Sequence, residues 1–298
     1  MGYLRDPLVS SLMTQLRVNR QRRGVETLGI LNFWDTPEGD RLTILGRGLH
    51  RGIQERAETL GYGTDYIWAR EPGMTARRLS RILSARGIRG VIILSMLHAR
   101  GHVALDWKRF AAASVGFTLH KPELHRANYS HYHAMFLALR TLRRRGYRRV
   151  GFTNLIGQED MVNNERLSAY LGYHYRVEGR MTVPPLLVKQ WDWQTLGPWL
   201  EEHRPQAIVS NNVDAVLLAR QHGIRVPEDL GFASLDCIDE AMLCAGIQQP
   251  RDLVGARAVE LVVEQLENHE SGLPKAPKLV TVKGEWQDGP TLLAKAGK

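Results

Sequence analysis

The sequence is poor in several things that would settle its class at once. Cysteine occurs twice in 298 residues, as Cys237 and Cys244. Two cysteines cannot build a disulfide framework, so a reducing compartment is expected. No apolar run approaches the roughly 18 residues of a membrane span. The first residues, Met1-Gly2-Tyr3-Leu4-Arg5-Asp6-Pro7, hold no apolar core of a secretory signal. A cytoplasmic protein without a membrane partner is the expectation. Familiar catalytic motifs are missing too: there is no G-x-S-x-G, no Walker A and no H-E-x-x-H. The glycines of Gly46-Arg47-Gly48-Leu49-His50-Arg51-Gly52 miss the dinucleotide spacing and lie inside a helical pattern, so no phosphate loop is expected. His120, His125, His131 and His133 are close in sequence but lack the Cys or carboxylate partners of a zinc site. They read as surface or loop histidines, with no metal and no cofactor. The two cysteines read as small core or loop residues. Nothing argues for an enzyme.

What is present is ordinary in amount and uneven in placement. The chain is 43% hydrophobic and 24% charged, which excludes a disordered chain, a collagen and a coiled coil. Its length suits two domains or one large one. The formal charge of +9 is concentrated. Residues 1–23 carry +4, residues 70–89 carry +5 and residues 140–149 carry +6, which leaves the remainder acidic. Such clusters are either solvated faces or a means of attracting nucleic acid. The solvated face is the plainer reading of the second and third.

Short β-rich runs alternate with helical patterns. Thr27–Leu31, Tyr66–Trp68, Gly90–Leu94 and Ala113–Phe117 read as strands. Between the first two, Leu45, Leu49, Ile53, Ala57 and Leu60 mark a helix over 43–60. Thr75 is placed to cap a helix ending near Arg86. The rhythm then repeats: a helix over 131–145, a strand at 150–153, a helix over 164–175, a strand at 186–188. A helix over 193–203, a strand at 207–210, a helix over 213–222 and a strand at 230–235 follow. A long helix over 252–268 and a last strand, Leu279–Val282, close the pattern. Two successive βαβα stretches predict an α/β protein of two Rossmann-like, doubly wound parallel sheets. Ligands of such sheets bind outside the carboxyl ends of the strands. With two domains, a cleft between them is the expected site.

Several segments carry a resemblance. Gly223-Ile224-Arg225-Val226-Pro227-Glu228-Asp229-Leu230-Gly231-Phe232 precedes Leu235-Asp236. Arg145-Gly146-Tyr147-Arg148-Arg149-Val150-Gly151-Phe152 opens the second half. Glu165-Arg166 leads a helix ending Leu171-Gly172-Tyr173. Gly52 stands before Leu60-Gly61-Tyr62, and Gln249 stands before Gly255 and Ala258. In this order and spacing they resemble the effector-binding region of the lactose-repressor (LacI/GalR) family of bacterial transcription regulators, from about Tyr3 to Gly289. The resemblance implies a periplasmic-binding-protein-like (type I) fold of two subdomains joined by three crossovers, near Ser130, Gln248 and Lys275–Lys278. It implies a hinge-like basic segment over 1–24, an N-terminal subdomain of 25–130 plus 249–276, and a C-terminal subdomain of 131–248 plus 277–293. Gly2-Tyr3-Leu4-Arg5-Asp6-Pro7 is similar to the junction that follows the family's helix-turn-helix headpiece, so the region without its headpiece is expected. Arg5, Arg17 and Arg20 then belong to the hinge that approaches operator DNA. A hinge alone lacks a recognition helix, so little DNA binding is expected of it.

The resemblance also implies site residues. Arg166 matches the family's cleft arginine, whose fork suits paired hydrogen bonds. Asp236 matches a carboxylate that accepts from sugar hydroxyls, and Asn211 an amide that both donates and accepts. Trp193 follows Asp192 as a ring-stacking tryptophan does, and Gln249 matches a polar residue at the late crossover. Without ligand, Arg166 has Asp236 as an obvious partner, and Trp193 reads equally as a core residue. In the first domain, Phe33 and Trp34 follow strand one, and Met96 and His98 follow strand three; their place at strand ends makes them cleft candidates. Ser130 stands where many members of the family have Asp, and Asn212 where the family usually has Asp. The implied function is a LacI-type regulator, a repressor, that senses a small sugar as a homodimer. A periplasmic-type solute receptor is the alternative. An exposed apolar patch near residues 43–60 or 75–94 would support the dimer.

Overall fold

The computed structural model describes residues 26–41, 43–211, 213–237 and 243–293, without the side chains of Ile44 and Leu45. The hinge-like segment with Arg5, Arg17 and Arg20, and also Asn212, lie outside the described residues. In chain order the elements are β1 (Thr27–Asn32), α1 (Ile44–Thr59), β2 (Gly63–Trp68), α2 (Ala76–Ala85), β3 (Gly90–Ile93), β4 (Gly101–His102), β5 (Ala111–Val115), β6 (Leu119–Lys121) and β7 (His125–Tyr129). They continue as α3 (His131–Arg144), β8 (Val150–Leu155), α4 (Ile156–Asp160), α5 (Glu165–Tyr173), β9 (Leu186–Val188), α6 (Trp193–His203), β10 (Ala207–Ser210), α7 (Asp214–Gln221), β11 (Gly231–Ser234), β12 (Ala245–Gln248), α8 (Arg251–Glu267), β13 (Leu279–Val282) and β14 (Glu285–Gln287).

Among the described residues, contacts divide the chain into two units, one up to residue 129 with 250–282 and the other 130–249 with the residues from 283 on. The sheet of the first unit runs β13-β7-β5-β3-β1-β2 and is parallel throughout. Its inner strands β1, β3 and β5 are buried on both faces, which is why they read as largely apolar runs, whereas the edge strands β2 and β13 are partly exposed. Leu28, Ile30 and Ile92 face one way, into a core built with Leu49, Ile53, Ala57, Val254, Ala258 and Val262 of α1 and α8. Leu31, Val91 and Ile93 face the other way, onto Leu79 and Leu83 of α2. Helices α1 and α8 approach backbone to backbone. A Cβ on Gly52 would lie 1.9 Å from the Asp252 carbonyl oxygen, and one on Gly255 would lie 2.3 Å from that of Leu49.

The sheet of the second unit runs β14-β12-β11-β10-β8-β9, parallel except for the edge strand β14. The same alternation holds. Val150, Phe152, Val209 and Ala233 pack on α3 and α5, whereas Ile208 and Phe232 pack on α6 and α7. Local chemistry sets the helix starts: Thr43, Thr75 and Asp192 each accept a hydrogen bond from the third backbone N–H beyond them.

Several expectations need correction. Residues 277–293 do not all belong with the second unit, because β13 pairs in parallel with β7 of the first sheet. Arg126 N–H donates to the Lys278 carbonyl at 2.8 Å, and Lys278 N–H to His125 Nδ1 at 2.9 Å. Val280 and Val282 then pack on the first core, so the last crossing falls after Val282. The helix after Asn164 ends at Tyr173 and passes into a π-helical turn, His174–Glu178. His125 and His131 are not surface residues; they are 7% and 6% exposed. No exposed large apolar side chain lies in 43–60 or 75–94 among the described residues.

Four of the six arginines of 140–149 bond within the fold. Arg143 pairs with Glu178 and Arg145 with Asp288. Arg148 donates to the Arg143 carbonyl at 2.9 Å, and Arg149 to the carbonyls of His203 and Arg204. These four arginines tie a helix end to its neighbours.

Candidate functional site

In the second unit, three neighbouring parallel strands end on a row of polar residues. Ser210 of β10 pairs in register with Ser234 of β11, and the register of β10 on β8 sets Thr153 beside Ser210. All three are at most 1% exposed. One step on, the chain presents Asn154, Asn211 and, past Leu235, Asp236. The carboxyl end of this sheet is therefore polar and largely closed to water, where the rest of each strand is apolar. Burying such groups is costly unless they are bonded. Among the described residues, Thr153 Oγ1, Asn154 Oδ1, Ser210 Oγ and Asn211 Oδ1 have no hydrogen-bond partner.

Arg166, 6% exposed, lies on the first turn of α5 beside this end. Its ion-pair partner is Glu159 of α4, at 3.5 Å, and not Asp236. Glu159 is 1% exposed and receives two further bonds, from Asn154 Nδ2 at 2.7 Å and from the Leu167 N–H at 3.1 Å. Burial lowers the Arg166 pKa from its ordinary value, and the charges of Glu159 and Asp236 oppose that shift. A guanidinium stays charged regardless, so a fixed cation stands behind the strand ends. His131 opens α3 in the same unit. Burial first, and the Arg166 charge second, hold its pKa well below the ordinary imidazole value, so this imidazole is neutral at pH 7.

Asp236 is steered by its own loop. Its N–H donates to Ser234 Oγ at 3.1 Å, and Gln249 Nε2 donates to the Leu235 carbonyl at 3.0 Å. Gln249, 4% exposed, thus holds the turn that carries Asp236. Arg166, Asp236, Asn211 and Gln249 all belong to this end of the second sheet. Trp193 does not join them. It packs in the layer on the other face of the sheet, with one face of its indole covered by His222 at a ring distance of 4.0 Å and an angle of 4°. The core reading of this tryptophan is the one its packing favours.

In the first unit, Phe33, Met96 and His98 line one cavity of about 440 Å³, together with Arg70, Met74 and His102. Trp34 is not among the residues that line it. Its indole N–H donates to the Ser95 carbonyl at 2.8 Å, and its own carbonyl accepts from the Trp68 indole at 2.9 Å. Trp34 therefore braces the loop after β1. Ser114 and Asn128, both buried on β5 and β7, hold side-chain atoms without partners among the described residues.

Sequence reading missed Glu159, Asn154, His131 and Ser210 as parts of the site. Only His131 carried a signal, and it was grouped by proximity in sequence with histidines it does not join. Among the described residues, no group of three or more His, Cys, Asp or Glu is placed to hold a metal ion. No helix among them is long and apolar enough to cross a membrane.

Residues 139–285 match the periplasmic binding protein-like domain family. No curated protein is significantly similar to the sequence. Many solved structures share the fold. The transcription regulator CcpA of Lactococcus lactis is 15% identical, with 91% of this chain and all of that one covered, at a TM-score of 0.65. The transcriptional regulator CelR, solved with cellobiose, is 17% identical, with 96% and 91% covered, at 0.67. The lac repressor dimer, solved on its operator with the anti-inducer ONPF, is 17% identical, with 98% and 100% covered, at 0.62. Residues 139–285 are thus similar to the periplasmic binding protein-like domain family, and the chain carries the fold that these transcription regulators share.

Proposed function

We propose that this chain is the effector-binding and dimerisation core of a LacI-type repressor, and that its effector is a small sugar-like molecule. The observation that carries the reading is the polar end of the second sheet. A folded core satisfies its buried polar groups, yet here Asn154, Ser210 and Asn211 each keep an atom without a partner among the described residues, near a buried, charged Arg166. A neutral polyhydroxy ligand supplies donors and acceptors to such a row without bringing a charge into it. CelR, which shares the fold, was solved with cellobiose. Arg166, Asn211 and Asp236 are the polar contacts proposed for that ligand, with Gln249 as the residue that positions Asp236. Phe33, Met96 and His98 offer apolar and imidazole surface to the same class of ligand.

The mechanism is linkage. A ligand that binds one arrangement of the two units better than another shifts the population toward it. In a homodimer, that shift alters the spacing of whatever DNA-reading elements the two chains carry. The lac repressor dimer on its operator supplies the precedent for such an assembly.

The reading is tested by thermal denaturation against a panel of neutral mono- and disaccharides and polyols. At least one is expected to raise the midpoint in a concentration-dependent way. A panel that leaves the midpoint unmoved at millimolar sugar contradicts it. Mass spectrometry of the active sugar after incubation separates a sensor from an enzyme: a sensor returns it unchanged.

A further inference from the structure

Cys237 and Cys244 bring their sulfurs to 3.7 Å of each other. They are the chain's two cysteines. Their meeting is built into the second sheet rather than left to side-chain chance. The Cys237 N–H donates to the Ile247 carbonyl on β12 at 2.8 Å. Cys244 immediately precedes β12, and the next N–H, that of Ala245, donates to Thr291 Oγ1 at 2.9 Å. Both backbones are thus pinned to one strand. A disulfide needs its sulfurs at about 2.05 Å, so closing this pair asks for about 1.7 Å of movement. The two differ in access: Cys244 is 3% exposed, whereas Cys237 is only partly buried.

We propose that Cys237 and Cys244 form a reversible thiol–disulfide modification site. The partner is a low-molecular-weight disulfide of the glutathione type. The more accessible Cys237 thiolate attacks one sulfur of that disulfide, forms a mixed disulfide and releases one small thiol. The Cys244 thiolate then attacks the Cys237 sulfur, closes the protein disulfide and releases the second small thiol. Two electrons pass to the small disulfide, and the protein gives up two protons. In a reducing compartment a disulfide of this kind is labile and regulatory rather than structural. Its position gives it a target, because Cys237 directly follows Asp236. Oxidation fixes the backbone next to the carboxylate proposed to accept from the sugar; this consequence rests on the functional reading above.

The test equilibrates the full chain in glutathione buffers of graded oxidation, followed by acid quench, alkylation and peptide mapping. The expected product is one internal disulfide between the peptides holding Cys237 and Cys244, two hydrogens lighter and reversed by dithiothreitol. In Cys244→Ser, a glutathione adduct is expected to build up on Cys237 instead. The proposal is overturned if wild-type protein carries a lasting glutathione adduct with Cys244 still a thiol. It is equally overturned if the native chain resists every buffer while the urea-unfolded chain forms the disulfide. The coupling is read by titrating an active sugar into both forms, with an affinity change of about tenfold expected. Equal affinity removes the coupling but not the modification site. A chain that binds no sugar in either form contradicts the functional reading and leaves the disulfide result standing.

Discussion

Glu159 gathers three donors in a space that water does not reach: Asn154 Nδ2, the Leu167 N–H and the guanidinium of Arg166. Removing one partner of a buried ion pair strands the other charge and costs about 3–5 kcal/mol. Glu159→Gln is therefore expected to lower unfolding free energy by about 3 kcal/mol or more in urea titration. A loss under about 1 kcal/mol would show that Arg166 is stabilised from elsewhere. Asn211 behaves oppositely, because its Oδ1 has no partner among the described residues. Asn211→Ala should leave stability within about 1 kcal/mol while weakening sugar binding. His131 adds a pH signature. Its pKa is depressed in the folded state and returns to about 6.5 on unfolding. Below that value the unfolded chain binds the extra proton, so stability is complete above about pH 6.5 and falls as pH drops, by at most about 1.4 kcal/mol per unit for this residue. His125, His133 and His174 are lowered by burial as well and share the effect. Urea titrations from pH 7.5 to 5.5 should show a shallower slope in His131→Gln than in wild type. An unchanged slope would assign the pH dependence to the other three.

At the scale of elements, the α1–α8 contact leaves no room for a side chain. A methyl at Gly255 meets the Leu49 carbonyl oxygen and the Ile53 N–H, both of them backbone that cannot rotate away. Gly255→Ala should cost about 1–3 kcal/mol by overpacking, read as a lower midpoint in thermal denaturation. A wild-type midpoint would mean that the two helices separate at little cost. This contact also shows what a sequence makes legible. The stripe of Leu49, Ile53 and Ala57 announced α1, because a helix declares its buried face at a period of 3.6. The apolar run at 90–94 announced β3, because a strand covered on both faces is apolar throughout. By contrast β12 and β14 went unread: Ala245-Gly246-Ile247-Gln248 is short and mixed, and β14 is an exposed edge. The strand β13 was read, but its sheet was not. Partner choice for an edge strand depends on which chain passes beside it, here β7, and no local pattern encodes that.

At the scale of the molecule, two doubly wound sheets followed from the alternation of elements, and the strand ends followed from the topology of parallel sheets. The residues gathered there were legible only in part. Arg166, Asn211, Asp236 and Gln249 were found through motifs. Glu159, Asn154 and His131 were not, because a buried polar residue declares itself only once its neighbours are in place. Trp193 shows the converse: a motif position filled by a side chain that packs on His222 instead. The proposed dimer is checked by sedimentation velocity at tens of micromolar, where a species of twice the chain mass is expected and a monomer alone would count against it. The most direct test of the central claim is calorimetric titration of the sugars into wild type, Asn211→Ala and Arg166→Lys. The account predicts one saturable site in wild type and at least tenfold weaker binding in both variants. No binding by wild type, or equal binding by all three, would contradict it.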